Sequence, residues 1–294
     1  MSGQDGGSRP IVIVGSLNAD LVVRTERFPR PGETLRGDDL VVLPGGKGAN
    51  QAVAAARLGG TVHMVGAVGE DSNGSLLLAS LADAGVDASR VQVRSDVPTG
   101  TALVLVDQQG ENSIVISGGA NDTLTPSEVT PDLLRGAAVL GLCLEVPLDT
   151  VVGAARAARQ AGVTVLTNLS PYGRVPAELL RSTDVLLVNE HEASQLGDHG
   201  IRRVIVTRGE AGVTVIDGDD DPVLIAAVPV DPVDTTGCGD AFMGAVALGL
   251  ARGSSLAEAA RYAAGVGAFA ATRHGAAASY PTAGQLDAFL AARP

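Results

Sequence analysis

Asp240 closes the segment DTTGCGD, residues 234–240, where Gly237, Cys238 and Gly239 precede a carboxylate and an apolar run, AFMGAVALGLARG, follows. That run predicts a helix beginning near Gly239 and stopping at Gly253. The amides of Gly237, Cys238 and Gly239 then lie unpaired at a helix N-terminus, with the positive end of the dipole behind them. An anion is what such a site holds. Asp240, in the first turn, can take the proton from a hydroxyl that attacks a bound phosphoryl group. The same placement also serves simply to complement the helix dipole, worth about 0.3–1 kcal/mol.

Other stretches supply binding groups. In LPGGKGANQAVAAARLGG, 43–60, two glycines let the backbone approach a ligand and a helix follows at once. Gly45, Gly46 and Lys47 can present amides there, and Asn50 adds a side-chain amide one turn on. The spacing is not that of a P-loop, because no Ser or Thr follows the Gly-Lys pair. This donor and acceptor set suits a polyhydroxyl ligand. VGSLNADLVV, 14–23, places Asn18 and Asp20 two apart on an extended segment, where they can hold adjacent hydroxyls or form a turn. Glu145 in CLEVP follows a further buried strand, as a ligand or as a strand-end charge. Asn189 and Glu192 in VNEHEASQ stand three apart at a helix start, suited to Mg²⁺ or its bound water and equally to helix capping. The Gly-bounded turn of VTRGEAG, 206–212, can approach a nucleotide.

His63, His191, His199 and His274 are scattered without ligand spacing. Cys143 and Cys238 form no disulfide framework and no zinc motif. A thiol at a helix N-terminus, as Cys238 is, raises the alternative of acyl transfer. No histidine lies near it in sequence to serve as a base.

The elements that must position these groups alternate short β-rich runs with Ala-rich helical ones. IVIV (11–14), VLGLCL (139–144), VTVLTN (163–168), DVLLVN (184–189) and RVIVTR (203–208) show little polar alternation, as strands buried on both faces do. An α/β fold follows, with a mostly parallel central sheet between helical layers. Residues 20–44 and 91–117 break the rhythm with alternating strands and Pro/Gly turns. They are expected to form a small β-sheet lid over the carboxyl ends of the parallel strands, where open α/β sheets place ligands. The chain is expected to be one domain, 10–294, after a flexible leader, 1–9. A net charge of −12 without a Lys/Arg block excludes a nucleic-acid partner. The absence of a long apolar run and the low cysteine count point to a cytoplasmic protein without a membrane span.

Taken together these stretches resemble the PfkB-type carbohydrate kinases, and among them the branch acting on D-ribose. The late family signature DTxGAGD is matched from Asp234 to Asp240 with Cys in place of Ala. GGKGANQAVAAARLG is matched at 45–59, and GSLNAD, RPGETLRG, SGGAND and NEHEA follow the family order, so the resemblance spans nearly everything after residue 10. It implies a three-layer α/β/α fold with a lid and ATP-dependent phosphorylation of D-ribose at its 5-hydroxyl. Another sugar or a nucleoside as acceptor is the alternative within the family, and a non-catalytic sugar or nucleotide sensor the alternative outside it.

By the same resemblance Asn18, Asp20, Gly45, Gly46, Lys47, Asn50 and Glu145 hold the sugar and Asp240 is the base. Gly237, Cys238 and Gly239 form the anion hole. Asn189, Thr207, Gly209, Gly212 and Gly239 line the ATP site, with Asn189 and Glu192 linked to Mg²⁺. Asp234, Thr236, Ala270, Arg273, Gly275 and Ser279 fall at positions of an activating K⁺ site. Pairing of two chains through their lids into a homodimer is also implied. Two features depart from the family: a short crossover between Asn189 and Thr207, and Ala264 where some relatives carry a polar residue facing the nucleotide.

Overall fold

The computed structural model describes residues 9–173, 175–197 and 199–293. The leader expected over 1–9 therefore lies, apart from Arg9, outside the described residues.

Among the described residues, thirteen strands form two sheets. They are β1 (Ile11–Val14), β2 (Asn18–Arg24), β3 (Val41–Gly45), β4 (Val62–Gly69), β5 (Asp87–Arg94), β6 (Gly100–Val106), β7 (Asn112–Ser117), β8 (Val139–Leu142), β9 (Thr164–Asn168), β10 (Val185–Asn189), β11 (Arg203–Thr207), β12 (Val213–Asp217) and β13 (Val223–Ile225). The large sheet has nine strands in the order β13-β12-β11-β10-β9-β8-β1-β4-β5. All its pairings are parallel except β11 with β12 and β12 with β13. The helices are α1 (Lys47–Arg57), α2 (Ser72–Asp83), α3 (Pro131–Leu134), α4 (Leu148–Gln160), α5 (Ala177–Ser182), α6 (Glu190–Leu196), α7 (Cys238–Ala251), α8 (Leu256–Ala271) and α9 (Ala283–Ala291).

The continuous apolar strands behave as their composition demands. In β1, Ile11 and Ile13 join a core with α1, α7 and α8, while Val12 and Val14 join a second core with α4 on the opposite face. Each such buried side chain contributes about 1.5–3 kcal/mol. A helical layer on each face makes the three-layer arrangement. No helix among the described residues is long and apolar enough to cross a membrane.

From β1 the chain runs outward through β4 and β5, whereas β8 pairs with the other side of β1 and the chain continues away from it. The strand order thus reverses between β1 and β8, and a crevice opens beyond their carboxyl ends. Ser16 and Asn18 follow β1 there, and Glu145 follows β8.

The small sheet has the order β3-β2-β6-β7. Its second insertion starts later than the sequence suggests. Residues 91–94 belong to β5, which pairs parallel with β4 at the edge of the large sheet. An edge strand with a wet face alternates polar and apolar residues much as a lid strand does. The second insertion contributes strands to the small sheet only from Gly100.

Candidate active site

Helix α7 begins at Cys238 with Gly237 as its N-cap, at φ 72°. That left-handed turn admits glycine with little strain, and the hydroxyl of buried Tyr280 donates to the Gly237 carbonyl at 3.0 Å. A Cβ at Gly237 would lie 2.5 Å from the same hydroxyl. Of the three amides expected to be unpaired, that of Cys238 is taken: it donates to the Thr235 carbonyl at 3.2 Å. The opening turn folds back on itself and uses one donor. Among the described residues, the amides of Gly239 and Asp240 have no backbone acceptor, and a Cβ built on Gly239 meets no heavy atom within 4 Å. The dipole's positive end therefore opens onto unfilled space, as an anion would need.

Asp240 is 5% exposed. Helix α7 lies close against α1 because a Cβ at Gly244 would meet the Gln51 carbonyl oxygen at 2.5 Å. That approach brings two amides onto the carboxylate: Asn50 Nδ2 donates to Oδ2 at 3.1 Å and Gln51 Nε2 to Oδ1 at 3.0 Å. Lys47 Nζ stands 4.0 Å from Oδ1. The Asp240 charge, with help from Glu145 and against burial, raises the Lys47 ammonium further above its usual pKa. Lys47 is therefore a fixed positive charge.

A second polar group is assembled around Glu145. Ser16 Oγ donates to its Oε2 at 2.5 Å, the Lys47 amide at 3.2 Å and Asn18 Nδ2 at 3.5 Å. The Lys47 amide, expected to face a ligand, is thus committed to Glu145. Asn121 Nδ2 donates to Asn18 Oδ1 at 2.8 Å, and its own Oδ1 accepts from the Leu17 amide at 2.9 Å, fixing Asn18 from the far side.

Asp20 projects from β2 over Gly45 of β3, where a Cβ would lie 2.2 Å from a carboxylate oxygen. Its pKa is raised from 3.8 to about 7, first by burial and then by the charges of Glu145 and Asp240. Three carboxylates share this crevice with one lysine. Such a set rejects an anionic acceptor and suits hydroxyl groups that donate to carboxylates.

At the ends of β10 and β11, Asn189 and Thr207 are register partners, and Gly209 to Gly212 form the following turn. Asn189 Oδ1 accepts from the Glu192 amide and Glu192 Oε2 from the Asn189 amide, both at 2.8 Å. Capping is therefore realised at this helix start. Among the described residues, no group of three or more His, Cys, Asp or Glu side chains is arranged to hold a metal. Asp234 accepts from the amides of Thr236 and Gly275, both at 2.9 Å, which joins the loop before α7 to the loop after α8. The Ala270 carbonyl accepts from the Arg273 amide at 3.0 Å, and Ser279 Oγ donates to the Ala276 carbonyl at 2.7 Å. Ala264 is half-buried within α8. The shortened crossover retains α6, a helix of seven residues.

The acyl-transfer alternative fails on chemistry. Burial, with the charges of Asp234 and Asp240, pushes the Cys238 thiol up to about 12, opposite to what a nucleophilic thiol needs. Ser16, Gln51, Asn121 and Tyr280 join the site without having been singled out from sequence. Ser16, Gln51 and Asn121 lie inside the motifs GSLNAD, GANQA and SGGAND, and a second amide directly after Asn50, ahead of the apolar run AVAAA, is the available signal for Gln51.

The pfkB family carbohydrate kinase model matches residues 8–283. The chain belongs to that family of kinases. Among its relatives, it is 35% identical over 293 residues to the ribokinase of Bacillus subtilis (strain 168), covering 96% of this chain and 99% of the relative. It is 35% identical over 305 residues to the ribokinase of Arabidopsis thaliana, covering 95% and 80%. The structure of Arabidopsis ribokinase complexed with ribose and ATP aligns with a TM-score of 0.89 at 33% identity, over 96% of this chain and 99% of that one. Thermotoga maritima ribokinase aligns with a TM-score of 0.88 at 31% identity, over 96% and 99%.

Proposed function

We propose that this chain transfers the terminal phosphoryl group of ATP to the 5-hydroxyl of D-ribose, giving D-ribose 5-phosphate and ADP. The observation that carries the reading is the buried Asp240 carboxylate at the open N-terminus of α7, beside the Asn18, Asp20 and Glu145 group. The Arabidopsis relative solved with ribose and ATP gives it independent support.

Sugar hydroxyls occupy the crevice at Asn18, Asp20, Gly46, Lys47 and Glu145, under the small sheet. The primary hydroxyl meets Asp240, which takes its proton as the oxygen attacks the phosphorus. The amides of Gly239 and Asp240 receive the negative charge that accumulates on the transferring group. Asn189, Thr207 and the Gly209–Gly212 turn line the nucleotide side. Closure of the small sheet excludes water, which competes for the same phosphoryl group.

Glu192 and Asn189 would hold Mg²⁺ through water, with phosphate oxygens completing its shell, a donor set that fits an ion retaining most of its hydration. When bound it neutralises phosphate charge. Asp234 and the carbonyls of the facing loops form an all-oxygen set that fits K⁺, which would steady the turn before α7.

The outer face of the small sheet supports a homodimer. Val42, Leu21, Leu103 and Val115 lie side by side across its four strands, with Leu103 54% and Val115 64% exposed. A row of apolar side chains on a thin sheet invites a second copy. Two free cysteines accord with a reducing cytoplasm.

The test is ADP formation from Mg-ATP with D-ribose, 2-deoxyribose, fructose, ribulose, tagatose and adenosine, in K⁺ and in Na⁺. Preference for D-ribose, enhanced by K⁺, is expected. Preference for another acceptor overturns the ribose assignment, and sugar binding without turnover on any of them makes the chain a sensor.

A further inference from the structure

Gln51 sits in the second turn of α1 and is 0% exposed, so it cannot reach a substrate directly. Its Nε2 donates to Asp240 Oδ1 at 3.0 Å, yet its Oε1 is buried with no partner among the described residues. A buried carbonyl oxygen without a donor lowers stability, and an apolar side chain of the same length would fill the space without that loss. Stability alone therefore disfavours an amide here. What the amide does provide is a fixed donor on one oxygen of the carboxylate.

The close contact of α7 with α1 at Gly244, whose Cβ would meet the Gln51 carbonyl, sets both ends of this hydrogen bond. Asn50 holds Oδ2 by one lone pair and Gln51 holds Oδ1 by another, so the plane of the carboxylate is determined from two points. Without Gln51, the carboxylate can rotate toward Lys47, which already stands 4.0 Å away.

We propose that Gln51 is a positioning residue for phosphoryl transfer: its buried amide fixes the Asp240 carboxylate so that a remaining lone pair faces the acceptor hydroxyl. The proposal rests on the reading of Asp240 as the base. Loss of the Gln51 hydrogen bond leaves the carboxylate held at one oxygen only, so turnover falls while sugar binding, which other residues make, is kept. The titratable groups facing Asp240 are Lys47 on α1, Asp20 on β2, Cys143 after β8, Cys238 on α7 and Tyr280 before α9, with Glu145 acting on Asp20, Lys47 and Cys143. All of them remain in the variants below.

The experiment compares the full-length protein with Gln51→Met, Gln51→Glu and Asp240→Asn. Each is measured for kcat, sugar dissociation constant, melting temperature and the pH dependence of kcat/KM from about pH 5 to 9. Gln51→Met is expected to lose about tenfold or more in kcat and keep sugar affinity within about threefold. In Gln51→Glu the introduced carboxyl donates to Asp240 only while it is itself protonated, so activity falls as pH rises and that proton leaves. This variant keeps the polar contact and carries the test if Gln51→Met fails to fold.

A folded Gln51→Met with kcat within about twofold of the parent overturns the proposal. So does a sugar affinity that falls as far as kcat, or a Gln51→Glu pH profile of unchanged shape. Asp240→Asn separates the two claims. If it is inactive while Gln51→Met is normal, only the positioning role falls, whereas an active Asp240→Asn removes the base and this role with it.

Discussion

Replacing Asp20 with asparagine tests the electrostatics of the crevice without any assumption about turnover. The carboxyl titrates at about 7 in the folded protein against 3.8 ordinarily, because burial and the charges of Glu145 and Asp240 oppose its ionisation. A folded-state value above the unfolded one means that the native chain holds a proton which the unfolded chain releases. The stability contribution is therefore fully present below about pH 4 and is lost as pH rises to about 7. The full displacement corresponds to about 4 kcal/mol, and partial access of water reduces it to about 2–4 kcal/mol. The asparagine side chain of Asp20→Asn carries no charge at any pH and removes that slope. Urea unfolding of the ligand-free proteins should give a variant that gains on the parent by about 2–4 kcal/mol between about pH 4 and pH 8. Carboxylates remote from Asp20 titrate alike in both proteins and cancel in the difference, and the coupling to Glu145 and Asp240 is part of the slope measured. A difference that stays flat across this range would refute the reasoning about Asp20.

Two further perturbations follow from the same geometry. Gly237→Ala forces a side chain into the left-handed turn and against the Tyr280 hydroxyl; it should cost at least about 1–3 kcal/mol in chemical denaturation and lower kcat more than sugar affinity. An unchanged midpoint would show that the turn is not constrained as described. Val115→Lys places a charge in the exposed apolar row of the small sheet and should convert a dimer to monomer in sedimentation velocity at micromolar concentration. A sedimentation coefficient equal to the parent's would contradict a dimer paired through this face.

Much of the architecture was legible in the sequence because it is local. IVIV and VLGL read as strands buried on two faces since nothing polar interrupts them, and GGKGAN and GCGDAF announce helix starts after flexible turns. β5 was obscured because an edge strand alternates like a lid strand. Within the site, Asn18, Asp20 and Asp240 carried chemistry visible from residue type. What could not be read was which donors were already engaged. The amides of Lys47 and Cys238 are taken by Glu145 and Thr235, and the first of these contacts joins residues 98 apart. Gln51 and Asp240 are 189 residues apart, and only the packing of α1 on α7 reveals that they touch.

Asp240→Asn gives the most direct test, assayed by ADP release with D-ribose and by detection of phosphate on the 5-oxygen of the product. Asparagine keeps the size of the side chain but accepts no proton. The expected result is a loss of turnover of about 10²–10⁴-fold with ribose affinity within about threefold of the parent. Turnover within a few fold of the parent would contradict the assignment of Asp240 as the group that takes the hydroxyl proton.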